Sequence, residues 1–515
     1  MTQNITIQIG QCGNQIGCRF WDLALREHAS INKKGIFDES MSTFFRNVES
    51  KARTTLAGDA IEIPVGKGNE RIRELRARAV LIDMEEGVVN EIMKGPLSEV
   101  FDHRQYLTDV SGAGNNWAVG HMYYGDKYQQ SIREMVRKNA EACDSLESFF
   151  IMHSMGGGTG SGLGTAVLRM LADDYKEVHR FVVAVYPSAD DDVITSPYNC
   201  VLAMKQLTDY ADCVIPIDNQ SLIGIVNRIE SACSNASSSN SNSSSSFAAS
   251  LRRNDPSKVL AGNNLNAQIS NIISNVNTIS AQKKCEKPFD SMNNIVANML
   301  LNLTSSSRFE GSLNVDLNEI TTNLVPFPRL HYLLSSLSPL YINEQVNLQV
   351  RGIEQMFSDA FKKENQLLQS DPKSSVYLAC ALMLRGKVQI SDIRRNIEKL
   401  KPTLDFISWN QEGWKTGLCS VPPFGQQYSL LCLSNNTCIK ETFAAMKSRF
   451  QLLYNRKAHL HHYKSVDNMD MSLFDESIES LNSLVAEYSQ LERQQKQAAS
   501  NGADVPLVDR VQVLA

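Results

Sequence analysis

Ile5, Ile7 and Ile9 alternate with Thr6 and Gln8, the two-residue period of a strand, and the run leads straight into Gly10-Gln11-Cys12-Gly13. Ala79-Val80-Leu81-Ile82 reads as a short buried strand ending at Asp83. Phe149-Phe150-Ile151-Met152 ends at a glycine run, and Phe181 to Tyr186 ends at Pro187. Short unbroken apolar strands separated by helical stretches predict an α/β fold with a parallel sheet covered on both faces. In such sheets ligands bind beyond the carboxyl ends of the strands. Each of these strands ends in Gly, Asp, Ser or Pro, which places a candidate site on one edge.

The pattern breaks at residues 231–283, where Ser234 to Ser246 is a run of Ser, Asn and Ala. Such a run buries too little apolar surface to fold, so 231–283 is expected to be a disordered surface insertion, with a weak helical pattern at Gln268–Ile279. The apolar helix Met292 to Leu303 follows. Strands are expected at Val376–Leu384, Leu404–Ser408 and Ser429–Leu433, giving a second α/β unit with a mixed sheet. Phe443 to Tyr463 reads as one helical stretch. Ile478, Leu481, Leu484, Val485 and Tyr488 form the stripe of another. The division expected is 1–218, 219–436 with the insertion inside it, and a helical 437–515. No internal repeat is seen.

The chain has 515 residues, 42% hydrophobic and 21% charged, with a formal net charge of −5. That is enough sequence for a large core, and the sign of the charge argues against a general nucleic-acid binder. The 11 cysteines form no Cys-x-x-Cys pair, so reduced buried thiols are expected rather than a disulfide framework or a zinc site. MTQNITIQIG has no signal-peptide pattern, and no apolar run reaches the ~18 residues of a membrane span. No membrane partner and a cytoplasmic location are expected.

The strongest motif is Gly156-Gly157-Gly158-Thr159-Gly160-Ser161-Gly162, between a strand and a helix with Leu163, Val167, Leu168 and Leu171 inward. Glycines let successive N–H groups point into one concavity, and the helix N-terminus adds partial positive charge, which makes a phosphate cradle. It lacks the Gly-Lys-Ser/Thr of a Walker A loop. Charge must therefore be met by amides, hydroxyls and metal. Gly10 to Gln15 offers amides at another strand end, and Asp83 with Glu85 suits a hydrated magnesium. Ser111-Gly112-Ala113-Gly114-Asn115-Asn116 is a tight turn suited to phosphate, and Asn219 can read a base edge. The glycine spacing after the first strand argues against a nicotinamide-dependent oxidoreductase.

These loops in this order resemble the tubulin family: GQCGNQIG at 10–17, SGAGNNWAVGH at 111–121, GGGTGSG at 156–162, SPYN at 196–199, IDNQSL at 217–222 and LVPFPRLHYL at 324–333. The likeness spans nearly the whole chain outside 231–283 and the last fifteen or so residues. It implies a GTP- or GDP-binding domain, an intermediate domain and a helical C-terminal domain. It also implies roles. Gln11, Cys12 and Gln15 lie by the phosphates and ribose; Asn115, Ser154, Gly156, Gly157, Gly158, Thr159 and Gly160 hold the phosphates. Asp192 lies by the ribose, Asn219 and Asn293 bond the guanine, and Phe289 stacks on it. Asp83 and Glu85 stand near Mg2+.

Within the family the resemblance is to the epsilon branch. Ser196 stands where polymer-forming members have a ribose-contacting glutamate, and no glutamate-rich tail follows Asp504. Asp190-Asp191-Asp192, Gln411 to Trp414 and Lys457 to Tyr463 point the same way; the three histidines of the last run are expected to pack rather than bind metal. Arg308 to Glu319 resembles the activating segment of alpha-tubulin. Glu319, with Asp316 three residues before it, is expected to orient water on a neighbour's nucleotide. The insertion is expected to limit stacking on the nucleotide face. Three functions follow: a GTP-binding tubulin that supports centriole or basal-body microtubules with slow or assembly-coupled hydrolysis; a nucleotide-bound structural adaptor; and a bulk polymer subunit, which the missing tail and the insertion argue against. Other tubulin subunits and centriole components are the expected partners, at the cytoskeleton and centrosome.

Overall fold

The computed structural model describes residues 2–49, 61–66, 70–188, 191–239, 289–341 and 351–501. Six parallel strands form the first sheet: β1 (Gln3–Ile9), β2 (Ala79–Asp83), β3 (Tyr106–Thr108), β4 (Leu146–Ser154), β5 (His179–Tyr186) and β6 (Cys213–Asp218), in the order β3-β2-β1-β4-β5-β6. The second sheet is mixed: β7 (Gly311–Leu313), β8 (Leu333–Ser338), β9 (Tyr377–Arg385), β10 (Trp414–Cys419) and β11 (Ser429–Asn436), in the order β7-β10-β9-β11-β8. A small antiparallel sheet joins Phe45–Glu49 to Ile61–Ile63 and Glu74–Ala77.

The helices that matter for the site are α1 (Gly10–Ile31), α2 (Gly125–Glu141), α3 (Gly164–Asp174), α4 (Ser196–Tyr210), α5 (Asn219–Ser239), α6 (Asp290–Leu303), α7 (Leu317–Leu324), α8 (Ile439–Tyr454), α9 (Leu460–Lys464) and α10 (Ser472–Asn501). Alternate residues of the first sheet face opposite layers, as the pleat requires. Ile5, Ile7, Phe149, Ile151 and Val182 pack with Leu168 of α3 and Val201 of α4. Leu81, Phe150, Met152 and Val183 pack with Trp21 of α1 and Leu300 of α6. The sheets are joined directly: the Val214 amide donates to His331 O at 3.0 Å, and the Asp218 amide to Leu367 O at 2.9 Å.

A buried ion cluster ties α1 to the second sheet. The Glu27 carboxylate meets Arg385 at 2.8 Å and Arg308 at 2.7 Å, and both guanidiniums are fully buried. Burial alone would raise the Glu27 pKa, but Arg385 and Arg308 outweigh it and hold the carboxyl below its ordinary value. Removing one partner of such a cluster costs about 3–5 kcal/mol.

Three expectations are corrected. Leu404–Ser408 is no strand; it makes one parallel bridge, Tyr377 to Phe406, because from Cys380 onward both edges of β9 are taken by β10 and β11. Phe443 to Tyr463 is two helices, α8 and α9, broken where Lys457 and His459 adopt φ of +52° and +57°. That turn delivers Tyr463, fully buried, to the first sheet's loops. Helix α5 runs on to Ser239, so the start of the 231–283 segment is helical rather than disordered. The rest of that segment, including Gln268–Ile279, lies outside the described residues, as does the tail after Asn501. No disulfide joins the described cysteines, and no described helix is long and apolar enough to cross a membrane.

A candidate nucleotide site and an acidic segment at opposite ends of one sheet

All six strands of the first sheet are parallel, so their carboxyl ends share one edge, and the polar loops named from sequence gather there. Gly10 starts α1 at φ +74°, a conformation that suits glycine, and a Cβ there would sit 3.2 Å from the Gly160 amide. Asn14, wholly buried, donates to Gly10 O at 3.0 Å and Ile82 O at 3.1 Å, locking the first loop to the end of β2. Gln11 is exposed beside it, and Cys12 and Gln15 are half-buried. Desolvation pushes the Cys12 thiol to about 12, so it stays protonated.

The glycine run is close-packed on one side and open on the other. A Cβ on Gly158 would lie 2.6 Å from the Asn116 amide, and one on Gly160 2.7 Å from Ser154 Oγ. Gly156 is buried too. Ser154, Gly157 and Thr159 are the half-exposed members, so they face the cleft. Thr159–Leu163 is a π-type turn before α3, and Ser161 Oγ donates back to Gly157 O. Such bulges recur at functional sites.

Asn115 stands opposite with φ +53° and is exposed; its Oδ1 would be 3.7 Å from a Cβ on Gly157. What holds it there is a residue given no role from sequence. Asn199, wholly buried in the first turn of α4, donates to Asn115 O and to Gly156 O, both at 2.8 Å. It accepts from the Trp117 amide at 2.9 Å and the Tyr463 hydroxyl at 2.7 Å. All four bonding positions of its side-chain amide are used. The one signal in sequence was its place in Ser196-Pro197-Tyr198-Asn199.

Asp83 ends β2 and is buried; desolvation first, then the nearby Glu85 charge, pushes its pKa to about 6. The Glu85 amide donates to it at 3.3 Å, and Glu85 itself is exposed against Gly112. None of the loops 10–16, 83–87, 111–117, 154–163, 191–196 and 218–222 contains Lys or Arg. A carboxylate buried without a counter-charge, among loops that carry no cationic side chain, fits a hydrated divalent cation; the nearest guanidinium, Arg449 of α8, lines the cavity beside Ser196 and Asp218 instead. Among the described residues no group of three His, Cys, Asp or Glu could hold a metal by itself, so phosphate and water would complete the shell.

On the side expected from sequence to take ribose and base, Asp192 is exposed, whereas Asp191 sends its carboxylate to within 3.1 Å of a Cβ on Gly156. Asp191 is therefore the nearer acid to the cradle. Ser196 is buried beside Gly156 and opens onto a cavity of about 160 Å³ between the ends of β5 and β6 and helices α4 and α8. Asn219 begins α5 straight after Asp218. Phe289 precedes α6 at φ +75° with its ring half exposed, and its carbonyl accepts the Asn293 amide at 2.8 Å.

Asp316 and Glu319 are not at this edge. Helix α7 packs against β4, and its first turn lies at Glu147, the second residue of that strand. The glycine run follows the strand's other end. The 9 residues of β4, rising about 3.3 Å each, separate the two by roughly 26 Å. Asp316 is the N-cap of α7: its carboxylate accepts the Glu319 amide at 2.7 Å, so it holds the turn. The Glu319 side chain is 45% exposed and pairs with Lys415 of β10 at 2.9 Å.

Residues 3–227 match the family model for the GTPase domain of the Tubulin/FtsZ family, and residues 328–448 match that for the tubulin C-terminal domain. The chain is 58% identical over 492 residues to the tubulin epsilon chain of Homo sapiens, covering 96% of each. It is 57% identical over 513 residues to that of Mus musculus, covering 100% of each. Against the tubulin beta-1 chain of Colletotrichum graminicola the identity is 32% over 500 residues, 95% of each.

Proposed function

The chain belongs to the tubulin/FtsZ family, and from that premise we propose that it is a GTP- or GDP-binding cytoskeletal subunit whose hydrolysis is slow or coupled to assembly, with Glu319 acting on a neighbour's nucleotide. The observation that carries this is the separation of roughly 26 Å along β4: one chain holds a phosphate cradle at one end and an acid at the other, and they cannot meet within it. Head-to-tail stacking of two tubulin-family subunits brings them together.

In this reading the amides of the glycine run and the first loop hold the phosphates, with Asn115 and Ser154 beside them. Asp83 and Glu85 hold Mg2+ through water, and the ion supplies positive charge that the loops lack. Gln11, Cys12, Gln15 and Asp192 line the remaining walls; Asn219, Asn293 and Phe289 take the guanine. Glu319 orients the attacking water, and Asp316 fixes the turn that carries it. The partners proposed are other tubulin-family subunits and centriole or basal-body components, in the cytoplasm at the centrosome, on the likeness to epsilon chains alone.

A second reading, a nucleotide-bound structural adaptor without turnover, has its own support: Lys415 already occupies the Glu319 carboxylate. The test is to denature the purified protein, identify the released nucleotide by chromatography, and measure GTP turnover against protein concentration for wild type and Glu319→Ala. Turnover that rises with concentration and falls in the variant supports the first reading. Bound guanine nucleotide without turnover supports the adaptor.

A further inference from the structure

Glu147 is a carboxylate of the first sheet that no function has yet absorbed. Gln3 pairs with Leu146 and Asn4 with Ser148 across β1 and β4, so Glu147 is the extra residue of a bulge. Bulges re-aim side chains, and this one turns a carboxylate inward. The residue is 4% exposed, and neither of its oxygens has a hydrogen bond of good geometry. Burial accordingly holds its carboxyl above the ordinary range. Near it stand the Thr2 hydroxyl, the amides of Leu317 and Asn318, and the Asp316 carboxylate, none of these a cation.

Leu317 and Asn318 are the first two residues of α7, and Glu319 is the third. The first amides of a helix have no partners within it. Asp316 takes the third, at 2.7 Å; the first two lie near enough to Glu147 to lower its carboxyl pKa, without a hydrogen bond to it. An anion below a helix N-terminus is favourable, and here the helix carries the acid proposed to act on the neighbour's nucleotide. We infer that Glu147 is a positioning residue for hydrolysis in trans: lying beneath the first turn of α7, it sets where Glu319 stands. The inference rests on the proposed role of Glu319.

The test uses the full chain as wild type, Glu147→Gln, Glu319→Ala and the double variant, with GTP turnover followed across protein concentrations. Amide hydrogen exchange of residues 317–320 is measured on the same samples. Glu147→Gln removes the charge at nearly constant volume. It is expected to lower kcat about tenfold, roughly 1.4 kcal/mol, with KM unchanged, and to speed exchange at Leu317 and Asn318. It should cost nothing further in the Glu319→Ala background, because it acts through that residue. An equal loss in that background, a rise in KM alone, or unchanged exchange overturns the inference. If the wild type shows no turnover at any concentration, the hydrolysis reading of Glu319 fails, and the positioning role fails with it; faster exchange in Glu147→Gln then marks a helix cap only. Should Glu147→Gln lose its bound nucleotide, Glu147→Asp, which keeps the charge, takes its place; Glu147→Ala then has to reproduce the kcat loss that Glu147→Asp spares.

Discussion

The two ends of β4 solve different problems with different materials. At the carboxyl end the cradle is built from buried backbone and one saturated amide: Asn199 joins Asn115, Gly156, Trp117 and Tyr463, and glycines leave no room for a Cβ. At the amino end the acid stands on a short helix, 45% exposed, with its charge met by the partly buried Lys415. Buried, fully bonded groups are rigid and costly to disturb, while exposed ion pairs are worth little and exchange readily. A site that must hold a nucleotide wants the first. A group that must meet a new partner wants the second.

The largest expected break in this contrast is Asn199→Ala. It orphans three buried groups, Gly156 O, the Trp117 amide and the Tyr463 hydroxyl, each worth about 1–3 kcal/mol, so urea denaturation should show at least about 3 kcal/mol lost, with the nucleotide released. Glu319→Ala should leave both unchanged. A stability loss from Glu319→Ala equal to that from Asn199→Ala would end the comparison.

Acid is the next lever. His121 and His153 are buried near the cradle, and desolvation pushes each pKa down from 6.5 to about 4. The unfolded chain takes up these protons near 6.5 and the fold only near 4. The contribution of these two histidines is therefore full above pH 6.5 and falls as pH drops toward 4, by about 1.4 kcal/mol per unit for each, against the opposite slope of the single Asp83 carboxyl below about pH 6. Melting curves between pH 7 and 4.5 check the slope, and a flat profile would contradict the burial.

Gly158→Ala should cost about 1–3 kcal/mol through the Asn116 contact and lower nucleotide retention, whereas Gly352→Ala, which meets open space, should do neither. The smallest effect expected is that of Lys415→Met: under about 1 kcal/mol in stability, since Glu319 is 45% exposed. If the pair restrains Glu319, turnover in the assembled state rises. A fall would make Lys415 part of the reaction instead.

Where one face or one layer decides a segment, its pattern was readable. The isoleucines of β1, the strands before Asp83 and the glycine run, and the stripe of α10 all stand where alternation or helical spacing put them. Strand β8 escaped notice because Ser335, Ser336 and Ser338 are buried among its leucines, and β10 because Trp414 to Thr416 are only half-buried. Leu404–Ser408 has strand composition, but the edge it needed on β9 was occupied.

What the sequence by itself determined is chemical type and order along the chain. Strands run into glycine, amide and acid loops, those loops carry no lysine, and an Asp-x-x-Glu pair opens a later helix. Local sterics and periodicity write these features into neighbouring residues. What only the tertiary structure decided is distance. Asn199 became the hub of the cradle, Asp191 rather than Asp192 came nearest to Gly156, Asp316 became a cap, and Glu147 came to lie beneath α7. Those outcomes depend on contacts between residues far apart in the chain, and a polar side chain declares its role only when burial selects its partners.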